Sequence, residues 1–187
     1  MRFWTRSLAA LGMAGLFTGG APGADAPLKA GDKAPVDIAV PAFQIEKALP
    51  DKKDAKTLKL SDLKGKKNVV VYFYPKAMTR GCTIESCGFR DVSDQLAKLD
   101  TVVIGVSTDT LGEQQQFTDK EKLNFPLLAD SDKKVTEAFG ALSPRGMAQR
   151  YTFVIDKTGT IKKVYTTVKP QNHPQEVVTY VKENLAK

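Results

Sequence analysis

The sequence has little cysteine and histidine: Cys82, Cys87 and His173 are the only such residues among 187. It also has no internal repeat and no low-complexity segment, which leaves no basis for a repeat architecture. No basic run is interleaved with aromatic residues, so the net charge of +7 does not indicate binding to DNA or RNA. The length suits one domain with a sizeable core.

Residues 1–23 have the features of a cleavable export signal. Arg2 and Arg6 precede an apolar segment at residues 8–17, and small residues follow at the expected cleavage point. The apolar segment is too short to cross a bilayer as a helix, which disfavours a stable membrane anchor. We therefore expect export, to the periplasm, of a single mature domain at residues 24–187.

The order of apolar patterns predicts an α/β fold. Strands with strong apolar character are expected at 68–74, 101–106, 125–128, 151–155 and 160–168. Helices are expected at 82–99, 113–122, 130–139 and from 174 onward. A short hairpin at 36–45 and a brief strand at 58–60 come earlier. Parallel crossovers followed by an antiparallel hairpin predict a thioredoxin-like fold, with a central mixed β-sheet flanked by helices on both faces.

Cys82 and Cys87 stand directly after the first of these buried strands, at the predicted start of a helix. A helix N-terminus favours a thiolate, which is the nucleophilic form of cysteine. In an intact helix the two Cα atoms are roughly 8.7 Å apart. A disulfide tolerates at most about 7 Å. The spacing therefore predicts a redox centre whose disulfide needs unwinding of the first helical turns, and not a static structural bridge.

Two residues just before Cys82 are candidates for a role at the same site. The hydroxyl of Thr79 can both donate and accept hydrogen bonds, although Thr79 is equally suited to be a simple N-cap. Pro75 would fix the path of the chain into the loop and has no N–H of its own. By itself, Pro75 also fits a strand terminator.

The segment Pro75-Lys-Ala-Met-Thr79-Arg-Gly-Cys82 resembles the Pro-x-x-x-Thr/Ser-x-x-Cys signature of the peroxiredoxins. The continuation Cys82-Thr-Ile-Glu85-Ser-Cys87-Gly-Phe-Arg-Asp is similar to the bacterioferritin-comigratory protein or PrxQ subfamily. Further matches extend the resemblance over the mature chain: Val103-Ile-Gly-Val-Ser107, Phe125-Pro-Leu-Leu128 and Arg150-Tyr-Thr-Phe-Val-Ile-Asp156.

The resemblance implies a thiol-dependent peroxidase that reduces hydrogen peroxide and organic hydroperoxides. In it, Cys82 is the peroxidatic cysteine, and Cys87 resolves the resulting sulfenic acid as an intramolecular Cys82–Cys87 disulfide. Thr79 would bind the peroxide and Pro75 would shield the sulfur.

The resemblance also implies an electrostatic role for two more residues. Arg150 would stabilise the thiolate and the transition state, and Glu85 would orient Arg150. A thioredoxin-like dithiol protein would restore both thiols. The resemblance implies no cofactor and no metal, and we expect a monomer.

The sequence departs from the family pattern at three places. Arg80 stands where the family usually has proline, and we predict that its side chain is exposed. The segment between Gly140 and Arg150 is shorter than in many relatives. Val36 follows Pro35 where the family has aspartate.

Two other exported thioredoxin-like classes are alternatives. A Sco-type copper chaperone binds metal through a cysteine pair and a distant histidine. Here the cysteines are one residue too far apart for that class, and we predict a surface position for His173. A thiol–disulfide oxidoreductase of the TlpA kind uses Cys-x-x-Cys, whereas four residues separate Cys82 from Cys87.

Overall fold

The computed structural model describes residues 26–186, so the predicted signal at residues 1–23 lies outside the described residues. The described chain contains seven strands: β1 (Val40–Phe43), β2 (Thr57–Leu58), β3 (Asn68–Phe73), β4 (Thr101–Ser107), β5 (Leu127–Ala129), β6 (Thr152–Ile155) and β7 (Ile161–Tyr165). It contains four α-helices: α1 (Arg80–Ala97), α2 (Leu111–Glu121), α3 (Lys134–Ala138) and α4 (His173–Asn184). Within residues 26–186 there is no helix with the length and apolar character needed to cross a membrane.

The strands form one mixed sheet in the order β2-β1-β5-β4-β3-β6-β7. Strands β3, β4 and β5 are parallel, whereas β1, β6 and β7 run antiparallel to their neighbours. All six residues of β3 are buried, as expected from its continuous apolar run. The predicted thioredoxin-like α/β fold is confirmed.

The two faces of the sheet support separate apolar clusters. Val70 and Tyr72 of β3 join a cluster with residues of α1, α2 and α4. Val71 and Phe73, on the alternate face, pack with α3 and the N-terminal segments. Strand β3 contributes buried residues to both clusters. This packing fixes the end of β3, and therefore the point where the following loop begins.

Some predicted boundaries are wrong, each for a local or tertiary reason. The predicted hairpin at 36–45 is a single strand, β1, whose partners β2 and β5 come from later in the sequence. Helix α2 begins before residue 113 because Thr110 and Glu113 form a capping box. Helix α3 begins only at Lys134, because the Asp130 carboxylate accepts hydrogen bonds from backbone N–H groups in its first turn.

Candidate active site

The junction between β3 and α1 contains the first cysteine. The chain leaves β3 through Pro75, takes a left-handed conformation at Met78 (φ 62°), and enters α1 after Thr79. Cys82 is the third residue of α1 and is fully buried. The buried strand, the proline and the short loop therefore fix where the first turn of α1 meets the sheet.

Arg150 contacts both Cys82 and Glu85. Its Nη2 donates to the Cys82 Sγ at 3.1 Å, and its Nη1 forms a salt bridge with the Glu85 carboxylate. Glu85 is three residues after Cys82, so both side chains point from the same face of α1. A side chain at Gly81 would bring a Cβ to 3.3 Å from the Arg150 Nη2, which explains why a small residue suits that position.

The loop before β6 delivers Arg150 to this site. A bridge between Leu142 and Ala148 folds the loop into a small hairpin, and the Gln149 N–H donates to the Ala141 carbonyl at 2.7 Å. Strand β6 then pairs antiparallel with β3. Arg150 therefore approaches α1 from the strand next to β3, although it is distant in sequence.

The charges at this site are held in a poorly hydrated environment. Burial raises the pKa of Glu85 to about 7, against the opposing effect of Arg150. Among residues 26–186, nothing hydrogen-bonds to its second oxygen, Oε1. Burial disfavours the charge on Arg150, but Glu85 and Cys82 outweigh it and raise the pKa of the guanidinium. Electrostatic contacts are stronger where water is excluded, so the contact of Arg150 with the fully buried Cys82 sulfur is screened less than a contact at the surface.

The two predicted residues before Cys82 lie in the connecting loop. Thr79 is exposed, and its hydroxyl donates to the Lys76 carbonyl at 2.9 Å instead of capping α1. Pro75 is half-buried at the end of β3. The prediction that Arg80 is exposed is confirmed.

Cys87 lies away from Cys82, towards the end of α2. It is half-buried, and both cysteines are free thiols. Its Sγ donates to Glu121 Oε2 at 3.6 Å, and Arg90 Nη1 lies 3.7 Å from the same sulfur. Because α1 is continuous through both cysteines, they are not in a geometry that permits a disulfide.

A buried carboxylate under the loop was missed by the sequence analysis. Asp109 Oδ2 accepts from the Ala77 N–H and from the Ser107 hydroxyl, both at 2.7 Å. Its Oδ1 lies 2.6 Å from the Lys76 ammonium. The signal was available, because Asp109 follows β4 at the carboxyl edge of the sheet, where functional groups collect.

The same network continues from Asp109 to the base of the site. Gln114 Nε2 donates to the Ser107 hydroxyl at 2.7 Å and to the Leu128 carbonyl at 3.0 Å. The Tyr74 hydroxyl in turn donates to Gln114 Oε1. These contacts tie the loop after β3 to β4 and α2.

The predicted surface position of His173 is wrong. The residue is fully buried, and its Nε2 lies 2.8 Å from the Thr152 hydroxyl oxygen. Its ring packs edge-on against Phe89 and Tyr165. Burial, with a smaller effect from Arg150, lowers the pKa of His173 to about 4. The first turn of α4 faces the sheet, so its first residue is buried despite the proline that follows.

The structure gives no support to copper binding. Within residues 26–186, no group of three His, Cys, Asp or Glu side chains is arranged to hold a metal ion. The His173 ring contacts the Thr152 hydroxyl and an aromatic ring, and these contacts do not include a second metal-ligating side chain.

Comparisons with known proteins agree with this geometry. The AhpC/TSA family model matches residues 31–164. Peroxiredoxin Bcp from Escherichia coli (strain K12) is 41% identical over 165 residues, which cover 84% of this chain and 98% of that protein. Peroxiredoxin Bcp from Bacillus subtilis (strain 168) is 42% identical over 134 residues, which cover 68% of this chain and 85% of that protein.

Solved structures show the same relationship. Peroxidoxin BcpB from Mycobacterium tuberculosis has a TM-score of 0.72 at 30% identity, covering 84% of this chain and 98% of that one. A mutant of PrxQ from Xylella fastidiosa has a TM-score of 0.74 at 26% identity, with the same coverage of 84% and 98%. The chain therefore belongs to the AhpC/TSA family, as a thiol-dependent peroxidase of the Bcp/PrxQ peroxiredoxin type.

Proposed function

We propose that this protein reduces hydrogen peroxide and organic hydroperoxides with Cys82 as the peroxidatic residue. The observation that carries the proposal is the contact from Arg150 Nη2 to the fully buried Cys82 Sγ at 3.1 Å. The thiolate attacks one peroxide oxygen and the O–O bond breaks, which leaves a sulfenic acid on Cys82 and releases water or an alcohol. Arg150 contacts the attacking sulfur and stabilises the negative charge that develops on the leaving oxygen.

Three neighbours of Cys82 support this step in our proposal. Thr79 holds the peroxide, because its hydroxyl proton points to the Lys76 carbonyl and its lone pairs can accept from the substrate. Glu85 orients Arg150 through their salt bridge. Pro75 shields the sulfur on the side of β3.

Cys87 then resolves the sulfenic acid. Its thiol sulfur attacks the Cys82 sulfur, the S–O bond breaks, and water leaves as the disulfide forms. The start of α1 must unwind for this, and its composition favours unwinding. Gly81 is a poor helix former, and the positive charge of Arg80 is unfavourable at a helix N-terminus.

A thioredoxin-like dithiol protein reduces the disulfide and completes the cycle in our proposal. Because both cysteines lie in one chain, the cycle needs no second subunit, and we propose that the protein acts as a monomer. We also propose export to the periplasm, on the basis of the signal features in residues 1–23. N-terminal sequencing of protein recovered from the periplasmic fraction tests the export and the cleavage after residue 23.

Peroxide consumption by the reduced protein tests the cycle. Wild-type protein should consume one equivalent rapidly, and Cys82→Ser should consume none at that rate. Peptide mass mapping should then find a Cys82–Cys87 disulfide in the wild type. Cys87→Ser should keep the fast first oxidation but stop turnover with a dithiol reductant. Equal peroxide consumption by wild type and Cys82→Ser would contradict the proposal.

A further inference from the structure

Cys87 has its own arginine and glutamate, as Cys82 does. The Cys87 Sγ donates to Glu121 Oε2 at 3.6 Å, and Arg90 Nη1 lies 3.7 Å from it. Arg90 Nη1 also donates to the Glu121 carbonyl oxygen at 2.6 Å, which holds the two groups together beside the sulfur. The peroxidase cycle as described leaves this second group of charged residues without a role.

The part of α1 that follows Cys87 is packed firmly against α4 and the sheet. Immediately after Cys87, Gly88 is packed so closely on α4 that a Cβ there would lie 2.7 Å from the Pro174 Cγ. Phe89 is fully buried and stacks on Tyr72, with ring centroids 4.7 Å apart.

A second contact anchors the same stretch to the chain that follows α2. Asn124 Nδ2 donates to the Ser93 hydroxyl at 2.8 Å. When the first turns of α1 unwind, we therefore expect Cys82 to move while Cys87 keeps its place beside Glu121.

The Cys87 thiol must lose its proton to become a nucleophile. Burial raises the pKa of the Cys87 thiol; Arg90 opposes this, while Glu121 and Asp91 add to it. Within residues 26–186, the charged groups that act on the sulfur are Arg90 and Asp91 from α1 and Glu121 from α2. The thiol is thus protonated at rest, and a carboxylate stands at hydrogen-bonding distance from its proton.

We propose that Glu121 is the general base, and Arg90 the stabilising cation, for the attack of Cys87 on oxidised Cys82. This inference rests on the proposed peroxidase cycle. As the S–S bond forms, the thiol proton passes to the Glu121 carboxylate and then to the hydroxide that leaves the Cys82 sulfur, giving water. The Cys87 sulfur is oxidised and the sulfenic sulfur is reduced, so the step needs no further oxidant or reductant.

The test measures the two oxidation steps separately. Reduced protein is mixed with one equivalent of hydrogen peroxide, quenched with an alkylating reagent at increasing times, and analysed by mass spectrometry for sulfenic acid, disulfide and sulfinic acid. Glu121→Gln should slow disulfide formation by about 100-fold, at the lower end of the usual contribution of a general base. Sulfenic acid should then persist, and more Cys82 should reach sulfinic acid at high peroxide.

The pH profile separates a base from a structural contact. Without the base, only spontaneously ionised Cys87 can attack, so the rate in Glu121→Gln should rise steeply with pH and approach the wild-type rate under alkaline conditions. Glu121→Asp should restore part of the rate. Asp119→Asn, an exposed neighbour on α2, is the matched control and should match the wild type.

Two results would overturn the inference in different ways. If Glu121 only holds Cys87 in place, Glu121→Gln will form the disulfide as fast as the wild type or faster, while the cycle itself stands. If the wild type forms no Cys82–Cys87 disulfide, the proposed cycle fails and the inference fails with it. Thermal unfolding followed by circular dichroism checks that each variant folds.

Discussion

Arg150 stands 68 residues after Cys82 in the sequence, yet its Nη2 donates to the Cys82 sulfur at 3.1 Å. The contact depends on the pairing of β6 with β3, which brings the end of the 141–149 loop over the start of α1. The salt bridge to Glu85 fixes the rotation of the guanidinium, so one planar group serves the carboxylate and the sulfur together.

Arg150→Lys should lower the second-order rate constant for oxidation of Cys82 by about 10²-fold. A lysine ammonium keeps the charge but cannot bridge Cys82 and Glu85 with a flat fork of donors. The measurement is competition for hydrogen peroxide against a peroxidase of known rate. Arg145→Lys, in the same loop but exposed, is the control and should match the wild type. A wild-type rate in Arg150→Lys would show that charge alone is sufficient.

Asp109→Asn should disturb the loop that precedes Cys82. The substitution removes the negative charge that faces Lys76 and one acceptor for the Ala77 N–H and the Ser107 hydroxyl. We expect the free energy of unfolding to fall by about 1–3 kcal/mol, as for a buried polar group left without a partner. We also expect Cys82 to be oxidised about 10-fold more slowly, because the loop no longer holds its geometry.

Urea unfolding and the same peroxide competition measure these two effects. Asp54→Asn, at an exposed site, serves as the control and should change neither quantity. A variant that loses stability but keeps the full oxidation rate would mean that Asp109 supports the fold without positioning the site.

The β3–α1 junction was predictable from sequence because local signals specify it. The continuous apolar run of β3 predicts a strand that is buried on both faces. Pro75 ends this strand because proline has no backbone N–H to donate to a neighbouring strand. The contact of Arg150 with Cys82 was expected only through the family resemblance, since no local pattern marks an arginine before a strand as catalytic.

Other features depend on partners that a local pattern does not reveal. His173 is buried because Thr152, from strand β6, offers a hydrogen bond and two aromatic rings cover it. Similarly, β1 pairs with β5 across a large separation in sequence, whereas its local pattern suggested a hairpin. In both cases tertiary contacts override the local propensity.

Gly88→Ala should destabilise the protein by separating α1 from α4. The added Cβ would lie 2.7 Å from the Pro174 Cγ, a ring atom that cannot rotate away. We expect a loss of about 1–3 kcal/mol in the free energy of unfolding, typical of overpacking. Gly112→Ala in α2 is the matched control, because nothing lies within 4 Å of its Cβ and alanine favours helix. Chemical denaturation of both variants measures the difference, and equal stability would contradict the tight α1–α4 contact.

His173 should make the protein less stable in acid. Its folded-state pKa is about 4, below the ordinary value of 6.5, so the unfolded chain binds the proton more readily. No penalty applies above about pH 6.5, and the penalty grows as pH falls towards 4. Its limit is about 3 kcal/mol, at about 1.4 kcal/mol for each pKa unit.

His173→Gln tests this by removing the titration while keeping a polar group near Thr152. Glu85 titrates in the opposite sense: its pKa is raised to about 7, so its stabilising effect is present in acid and is lost as pH rises. Because both proteins contain Glu85, subtracting their unfolding free energies at each pH cancels that contribution. The stability of the wild type relative to His173→Gln should fall between about pH 6.5 and pH 4, the ordinary and the folded-state pKa of His173. A constant difference across that range would show that His173 binds its proton equally well in the folded and unfolded chains.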